Sequence, residues 1–329
     1  MKTLRQCADR QEWDDYVLEN GGHPLQIWGW GEVKAGSVWQ VDRLFMTDDG
    51  GQITGAAQLL IRHLPWPFKS LVYVPRGPVI DESNKADLLG LLSDYAKKTY
   101  HAVVLKIEPD DIDYPISDDW EKSTNTILPA ETIILDLNKT TDELLADMAK
   151  KTRQYIRKAD SESVEIKRVH SREDLDKCLD IYRLTAKRAK FNLHSDQYYH
   201  DVFDKMGDNA PIFAAYSDGQ PIAYLWLAIS SSTAFELYGG MNDQGRDLRA
   251  NYALKWHAIR KCKEWGLVRY DFGGLIEGGV STFKLGWASQ QTKLVGTFDR
   301  PLSIFYGIWN VLMPMAKSIS QKIRLLIRH

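Results

Sequence analysis

Apolar and polar positions follow strand-like and helix-like spacings that occur twice along the chain in the same order. Residues 43–61 (RLFMTDDGGQITGAAQLLI) place a turn of aspartates and glycines between two apolar runs, and residues 212–229 (IFAAYSDGQPIAYLWLAI) do the same. An Asp-Gly turn between two apolar runs is a strong β-hairpin signal. We therefore predict one hairpin in each half of the chain.

Each predicted hairpin is followed by a strand, a helix and another strand. These segments are 70–75, 86–100 and 102–109 in the first half, and 234–240, 251–266 and 268–274 in the second. A β-β-β-α-β order that repeats at this spacing indicates two copies of one mixed domain. The predicted fold class is therefore α/β (α+β), with mixed, largely antiparallel sheets.

The boundary between the two domains is predicted at a helix start. Thr140 and Glu143 follow the strand TIILDL at the spacing of a capping box, and a single helix, DELLADMAKKTRQYIRKAD, is predicted after them. We predict an N-terminal domain over 1–138, a C-terminal domain over 139–300 and a separate C-terminal segment over 301–329.

The segment 301–329 is apolar and then basic, and it contains no acidic residue. Its apolar run is too short to span a bilayer. We predict a basic amphipathic helix with two alternatives: it packs on the first domain, or it lies on an anionic membrane surface.

Composition narrows the classes of partner. The 329 residues carry a net charge of −2, so any phosphate or nucleic-acid site must be a local patch. The three cysteines form no CxxC pair, which argues against a disulfide framework or a zinc site. The first residues, MKTLRQCADRQEWDDY, contain no apolar signal core, so we expect a cytoplasmic protein that is at most peripheral to the membrane.

Four stretches coincide with one known family. They are HPLQIWGWGEVK (23–34), PRGPVID (75–81), KKTRQYIRKA (150–159), and RYDFGG (269–274) with Phe-Lys following at 283–284. The chain resembles the Fem family of non-ribosomal peptidyl transferases, which use aminoacyl-tRNA to add residues to peptidoglycan precursors. The resemblance implies two GNAT-like acyltransferase domains in tandem. Residues 170–210 leave no room for the long two-helix arm of larger members, so the chain resembles the compact, FemX-type form.

The resemblance also implies a catalytic centre near the end of the chain. Phe283 and Lys284 match the family's catalytic Phe-Lys pair, so Lys284 would stabilise negative charge on the aminoacyl ester. Gly273 and Gly274 would then let the substrates approach that cation, because glycine permits close backbone approach. The alternative is that Lys284 is a solvated loop lysine.

Further residues are implied on the acceptor side. Lys34 matches the family's substrate-binding lysine, and Gln26, Trp30 and Lys34 are spaced to share one helix face. Tyr199 and Tyr238 fall near tyrosines that the family uses against the muramyl pentapeptide. Both tyrosines, like Trp30, could equally be packing residues.

Glu108 and Ser195 leave two questions open. Glu108 occupies the place of a family acid and could accept a proton or hold the incoming ammonium, or it could be one of several loop acids. Compact members of the family have an arginine where this chain has Ser195, so a diphosphate contact is missing or comes from elsewhere, for instance from Arg188 or Lys190.

A basic helix is the predicted tRNA-binding surface. Its cations could neutralise RNA phosphates, although a solvated helix face is the alternative. They are Lys150, Lys151, Arg153, Arg157 and Lys158. No metal and no cofactor is predicted, since the chemistry needs only aminoacyl-tRNA as co-substrate.

The sequence thus predicts an aminoacyltransferase that acts on the side-chain amine of a peptidoglycan stem peptide. The acceptor would be UDP-MurNAc-pentapeptide or lipid II. One alternative is a GNAT-type N-acyltransferase that uses an acyl-CoA, for which GRDLRAN (245–251) is the nearest approach to a pyrophosphate loop. Another is a catalytically idle RNA-binding or scaffold protein.

Overall fold

A computed structural model describes residues 1–161, 164–275 and 279–312. The helices within these ranges are α1 Arg10–Glu19, α2 Trp28–Ala35, α3 Glu82–Tyr100, α4 Thr141–Asp147, α5 Lys150–Ser161, α6 Arg172–Ala189, α7 Asp196–Met206, α8 Asp243–Asp247, α9 Ala250–Glu264, α10 Gly279–Leu285 and α11 at 306–312. Short 3-10 helices lie at Pro24–Gln26 and Gly207–Asn209.

The strands divide into two large sheets and one small one. They are β1 Thr3–Gln6, β2 Gln40–Thr47, β3 Ile53–His63, β4 Ser70–Pro75, β5 Val79–Ile80, β6 Ala102–Glu108, β7 Glu121–Lys122, β8 Glu131–Thr132, β9 Ile134–Asp136, β10 Glu165–Arg168, β11 Ile212–Ser217, β12 Gln220–Ile229, β13 Thr233–Met241, β14 Arg269–Asp271, β15 Thr292–Lys293 and β16 Phe298–Pro301. Strands β8 and β15 form the two-stranded sheet.

The chain forms two compact units whose segments alternate along the sequence. Unit 1 comprises the described residues within 1–20, 37–130 and 294–312, and unit 2 comprises those within 21–36 and 131–293. The contacts therefore divide the chain at 130/131 and 293/294, and they assign the α2 segment to unit 2. The single domain boundary predicted at 138/139 does not describe two units whose segments alternate.

Unit 1 is built on the sheet β1-β2-β3-β4-β6-β16-β7, with β5 paired to β3. Strands β1 to β4 pair antiparallel, whereas β4 and β6 are parallel because α3 crosses between them. The core on one face of the sheet contains Leu44, Leu59, Val72 and Leu105, and α3 contributes Leu88.

Unit 2 repeats this arrangement in the sheet β10-β11-β12-β13-β14-β9. Strands β10 to β13 pair antiparallel, and β13 and β14 are parallel across α9. Tyr270 on β14 and Ile259 on α9 are buried in its core, together with Trp287. Both predicted hairpins, and the strand-helix-strand order that follows each of them, are confirmed.

Two helix predictions need correction. The predicted helix after Thr140 has its capping box, but it is interrupted at Met148, whose ψ of 151° is extended, so α4 and α5 are separate helices. Gln26 is likewise not on the helix of Trp30, because Ile27 is extended and separates the 3-10 turn from α2.

The segment after residue 300 is described as far as residue 312. Tyr306 on α11 is buried against Leu71 and Val104, and Trp309 packs on Phe68 with ring centroids 5.3 Å apart. The described residues 302–312 therefore pack within unit 1, whereas residues 313–329, on which the prediction of a basic amphipathic helix also rests, lie outside the described part. No helix in the described ranges is long and apolar enough to cross a membrane.

Candidate functional site

The glycine turn after β14 holds the Lys284 ammonium on its carbonyl groups. Lys284 lies on α10 and donates hydrogen bonds to the carbonyl oxygens of Phe272 and Gly274, the latter at 2.9 Å. An ammonium has three N–H donors, and the two contacts found among the described residues fix its position and use two of them, so a third donor can serve a substrate. Gly278, the next glycine in the sequence, lies outside the described residues.

Glycine is required at the turn for two physical reasons. Gly273 has φ +72° and Gly274 has φ +98°, a backbone region that other residues rarely adopt. A Cβ on Gly273 would also lie 2.3 Å from the carbonyl oxygen of Glu236. The turn is ordered further by Asp271, which accepts hydrogen bonds from the Gly273 N–H and from Thr132.

Phe283 borders a cavity of about 590 Å³. Its ring contacts Tyr252 edge-on at a centroid distance of 4.9 Å, and Tyr252 in turn contacts Tyr155 of α5 at 5.0 Å. Arg246 and Arg249 also line the cavity, and the Arg249 guanidinium lies 4.8 Å from the Tyr155 ring centroid. The GRDLRAN segment therefore supplies two cations beside Phe283.

A buried ion pair that was not predicted from the sequence, Lys255–Glu236, lies near Lys284. Lys255 of α9 donates to both carboxylate oxygens of Glu236 at 2.6 and 2.8 Å, and Tyr270 donates to Glu236 at 2.8 Å. Burial lowers the pKa of Lys255 to about 8; Glu236 raises this pKa and the nearby Lys284 lowers it further. A lysine within a helical pattern looks solvent-exposed in the sequence, so no signal there distinguished it.

Lys34 lies in an aromatic site in unit 2. Its ammonium is 4.2 Å from the Trp30 ring centroid and donates to the Tyr198 hydroxyl at 2.7 Å. Burial lowers the pKa of Lys34 to about 8. The His194 ring stacks on Tyr198 at 4.0 Å, and its pKa is lowered by burial and by Lys34.

The two predicted tyrosines belong to the same aromatic cluster. Tyr238 donates to the Tyr198 hydroxyl at 3.3 Å, so it is one hydrogen bond away from Lys34. Tyr199 packs edge-on against Tyr238 at 5.2 Å, and its hydroxyl accepts the His194 N–H. Tyr198, which the sequence analysis did not single out, is therefore the tyrosine that contacts Lys34.

Ser195 has a local structural role that an arginine could not fill in the same way. Its side chain caps α7 by accepting from the Tyr198 N–H. Arg188 donates to the Met241 carbonyl at 3.2 Å, and Lys190 ends α6 in a left-handed conformation.

Glu108 is buried within unit 1 and surrounded by donors. It accepts hydrogen bonds from the N–H groups of Ile127 and Leu128 at 2.9 and 3.1 Å, from Thr297 at 2.5 Å and from the Tyr73 hydroxyl. Burial, followed by the charge of Glu108, raises the pKa of Tyr73. Glu108 ends strand β6, so it is not a loop acid. Its contacts favour a structural role, and its role as a proton acceptor stays a prediction.

Helix α5 presents most of the predicted basic patch. Lys150, Lys151, Arg157 and Lys158 are exposed. Arg153 instead donates to the carbonyls of Leu145, Ala146 and Met148, so it caps the end of α4. We correct the expected patch accordingly, because Arg153 is used within the fold.

No cluster of His, Cys, Asp and Glu suited to a metal ion occurs in the ranges that the structure describes. His194 and His200, the histidines of α7 and the residues before it, are engaged separately: His200 bonds Asp176 at 2.6 Å.

Known protein families match the N-terminal and the C-terminal half of the chain separately. A FemAB family model matches residues 9–126, and an acetyltransferase (GNAT) domain model matches residues 146–285. The crystal structure of FemX superposes with a TM-score of 0.79 and 21% identity, covering 94% of this chain and 99% of that one. A tandem GNAT protein from the clavulanic acid biosynthesis pathway gives 0.52 and 12%, covering 92% and 99%. The predicted fold class is confirmed: the chain is a mixed α/β protein with a tandem GNAT-like fold.

Characterised relatives of the chain are glycyltransferases. A lipid II:glycine glycyltransferase of Staphylococcus aureus (strain MRSA252) is 24% identical over 389 aligned positions, covering 89% of this chain and 91% of the relative. The corresponding protein of Staphylococcus haemolyticus (strain JCSC1435) is 23% identical with the same coverage. The chain is a transferase whose residues 9–126 match the FemAB family model, and its sequence is similar to these glycyltransferases over most of its length.

Proposed function

We propose that this protein transfers an amino acid from aminoacyl-tRNA to the side-chain amine of a peptidoglycan stem peptide. The observation that carries the proposal is the Lys284 ammonium, fixed by the carbonyls of Phe272 and Gly274 beside Phe283. A fixed cation in a partly buried turn is suited to stabilise charge that develops during acyl transfer.

The proposed reaction needs little more from the protein than positioning and charge. The acceptor amine attacks the ester carbonyl carbon of the aminoacyl group, and a tetrahedral oxyanion forms. The bond from that carbon to the ribose oxygen then breaks, and the proton lost by the amine is gained by the departing ribose oxygen. The remaining donor of Lys284 would stabilise the oxyanion or the departing oxygen.

Lys34 is proposed to bind the acceptor. Its ammonium is held between Trp30 and Tyr198, and a point charge in such a site can bind a diphosphate. Both UDP-MurNAc-pentapeptide and lipid II contain a diphosphate, so Lys34 serves either acceptor. Tyr238, one hydrogen bond further on, is placed to contact the peptide part.

The donor tRNA is proposed to lie along α5. Four exposed cations of this helix can neutralise phosphates without reading a sequence. Tyr155 on the same helix lines the cavity beside Phe283, where Arg249 adds positive charge, whereas Arg246 is paired with Asp243 and Asp247. The helix therefore connects a phosphate-binding surface to the catalytic lysine within unit 2.

A membrane contact is proposed for the end of unit 1. Ile304, Ile308 and Val311 are exposed at a spacing that places them on one side of the chain, while Tyr306 and Trp309 pack inward. Residues 313–329 add Lys317, Lys322, Arg324 and Arg328 and no acid. Apolar residues followed by cations suit an anionic lipid surface, where a lipid-linked acceptor would be found.

Product mass tests the function directly. The purified protein is incubated with a labelled, fully charged tRNA pool and either UDP-MurNAc-pentapeptide or lipid II, and with acetyl-CoA in a parallel reaction. We expect the acceptor to gain the mass of one amino-acid residue, and RNase pretreatment to abolish the gain. Acetylation in the parallel reaction without any tRNA-dependent gain would contradict the proposal and favour an acyl-CoA-dependent enzyme.

A further inference from the structure

The Lys255–Glu236 pair is a buried charge pair that the proposed reaction does not use. The two side chains are 6% and 8% exposed, and both carboxylate oxygens of Glu236 accept from Lys255. Taking two charges out of water costs several kcal/mol per ion. A hydrophobic pair of similar volume would avoid that cost, so the pair calls for an explanation beyond stability.

The cation of this pair is directed at the aromatic residues around Lys284. The Lys255 Nζ atom lies 4.2 Å from the ring centroid of Phe272 and 5.1 Å from that of Phe283. Phe272 is the residue whose carbonyl accepts from Lys284, and Phe283 precedes Lys284 on α10. Lys255 therefore contacts both Phe272, whose carbonyl accepts from Lys284, and Phe283, the residue before Lys284.

The anion of the pair is joined to the glycine turn. The carbonyl oxygen of Glu236 is the atom that a Cβ on Gly273 would meet at 2.3 Å, so the backbone of Glu236 packs directly on the turn. Its carboxylate also accepts from Tyr270, two residues before Phe272. Glu236 therefore contacts the turn that holds Lys284 through its backbone, and the residue before that turn's Asp271 through its carboxylate.

We propose that the Lys255–Glu236 pair positions Lys284 for catalysis by fixing the Phe272 turn and the Phe283 ring. This inference rests on the proposed role of Lys284. Lys255 is a positioning residue, because its ammonium is enclosed by Glu236 and by aromatic rings. The groups that face it are Glu236 on β13, Tyr270 on β14 and Lys284 on α10.

The position of the charge explains why a lysine–glutamate pair is used here. An uncharged pair of the same volume would fill the space. It would not hold the rings of Phe272 and Phe283 by cation–π contact, and it would lack the ionic attraction that joins Lys255 to Glu236. Because burial brings the pKa of Lys255 down to about 8, the ammonium form is dominant below that pH and is lost above it. The arrangement around Lys284 is therefore expected to loosen as the pH rises through about 8.

A double-mutant cycle tests the proposal. Lys255→Met, Lys284→Met and the double variant are compared with the wild type by kcat and KM in the tRNA-dependent reaction. Misplacement of a catalytic group by about 1 Å can cost about 100-fold in rate, so we expect Lys255→Met to lower kcat by about that factor with both KM values unchanged. The double variant should be no slower than Lys284→Met, because Lys255 acts through Lys284.

Two further measurements separate positioning from folding. Glu236→Gln keeps the shape of the side chain and should lower kcat like Lys255→Met. The wild-type kcat should fall as the pH rises through about 8, and Lys255→Met should lack this decline. Lys261→Met, on the exposed part of the same helix where Lys261 pairs with Glu264 at 2.7 Å, is the matched control and should keep wild-type kcat.

The outcomes distinguish this inference from the proposed function. If Lys284→Met keeps wild-type activity, the catalytic role of Lys284 is wrong and this inference falls with it. If Lys284→Met is inactive but Lys255→Met and Glu236→Gln keep wild-type kcat, only the positioning role is wrong. Equal fractional losses from Lys255→Met in the presence and absence of Lys284 would also overturn it, since they would indicate a general structural effect.

Discussion

At the scale of single residues, the site depends on two lysines in unlike surroundings. Lys284 is held by carbonyl oxygens of a glycine turn, and Lys34 by the Tyr198 hydroxyl and the Trp30 ring. The resemblance pointed to both lysines from short motifs. It did not indicate the carbonyl contacts or Tyr198, because these depend on how the backbone folds and not on residue type.

If Lys34 binds the acceptor as proposed, acceptor binding should depend on pH. Because burial lowers its pKa to about 8, Lys34 is charged below this pH and neutral above it. We expect the KM for the diphosphate-containing acceptor to rise as the pH passes upward through about 8, measured by steady-state kinetics at saturating tRNA. Lys34→Arg stays charged throughout and should remove this rise, and an unaltered pH profile in that variant would contradict the role.

Substitution of Gly273 tests whether activity requires the close packing of the turn against Glu236. Gly273→Ala combines an unfavourable φ of +72° with a collision at the Glu236 carbonyl, so we expect both lower stability and a large loss of kcat. Gly266→Ala is the matched control: Gly266 has φ +82° and no atom within 4 Å of the added Cβ, so only the conformational cost of about 1–2 kcal/mol applies. Thermal unfolding and kcat are measured for both. Similar kcat values in the two variants would contradict the requirement for close packing.

At the scale of elements, the sequence predicted long periodic segments well and short interruptions poorly. The hairpins β2–β3 and β11–β12 were predicted from their Asp-Gly turns, and α3 and α9 from apolar periodicity. The interruption between α4 and α5 was missed because Met148, Ala149 and the lysines that follow all have good helix propensity. Its stabilisation comes from Arg153, whose contacts with carbonyls eight, seven and five residues earlier are invisible in a local pattern.

We predict that tRNA affinity depends on the number of cations on α5 and not on which of them is present. Replacing Lys150, Lys151, Arg157 or Lys158 with Gln should weaken tRNA binding for every tRNA, and each replacement should reduce the slope of log affinity against log salt by about one. Filter binding over a range of salt concentrations measures this. Lys97→Gln on α3, an exposed lysine of unit 1, is the control and should leave the slope unchanged. Equal slopes for all five variants would contradict tRNA binding by α5.

At the scale of the whole molecule, the internal repeat was predictable but the interleaving of the units was not. Each sheet receives one strand from a distant part of the chain: β16 pairs with β6, and β9 pairs with β14. These strands have four and three residues, which is too short for periodicity to identify them. The α2 segment belongs to unit 2 for the same kind of reason, since its packing against α7 is a tertiary contact.

The end of the chain leads to the last prediction, which concerns membrane contact. Ile304 is 92% exposed, and Trp66, 82% exposed, belongs to the loop whose Phe68 packs on Trp309 of α11. We expect the protein to co-sediment with vesicles that contain anionic lipid and not with zwitterionic vesicles, because cations follow this apolar surface in the sequence. Ile304→Ser combined with Ile308→Ser should weaken sedimentation, and high salt should weaken it further.

Val38→Ser and Ile112→Ser, two other exposed apolar residues of unit 1, together provide the matched control and should sediment like the wild type. Activity on the soluble acceptor is measured in all variants. The serine substitutions lie outside unit 2, which holds the proposed catalytic residues, and should leave this activity unchanged. If the Ile304/Ile308 variant loses sedimentation but keeps its turnover of UDP-MurNAc-pentapeptide, the membrane contact is needed only for a lipid-linked acceptor. Wild-type sedimentation of the Ile304/Ile308 variant, or equal binding to both kinds of vesicle, would contradict the proposed surface.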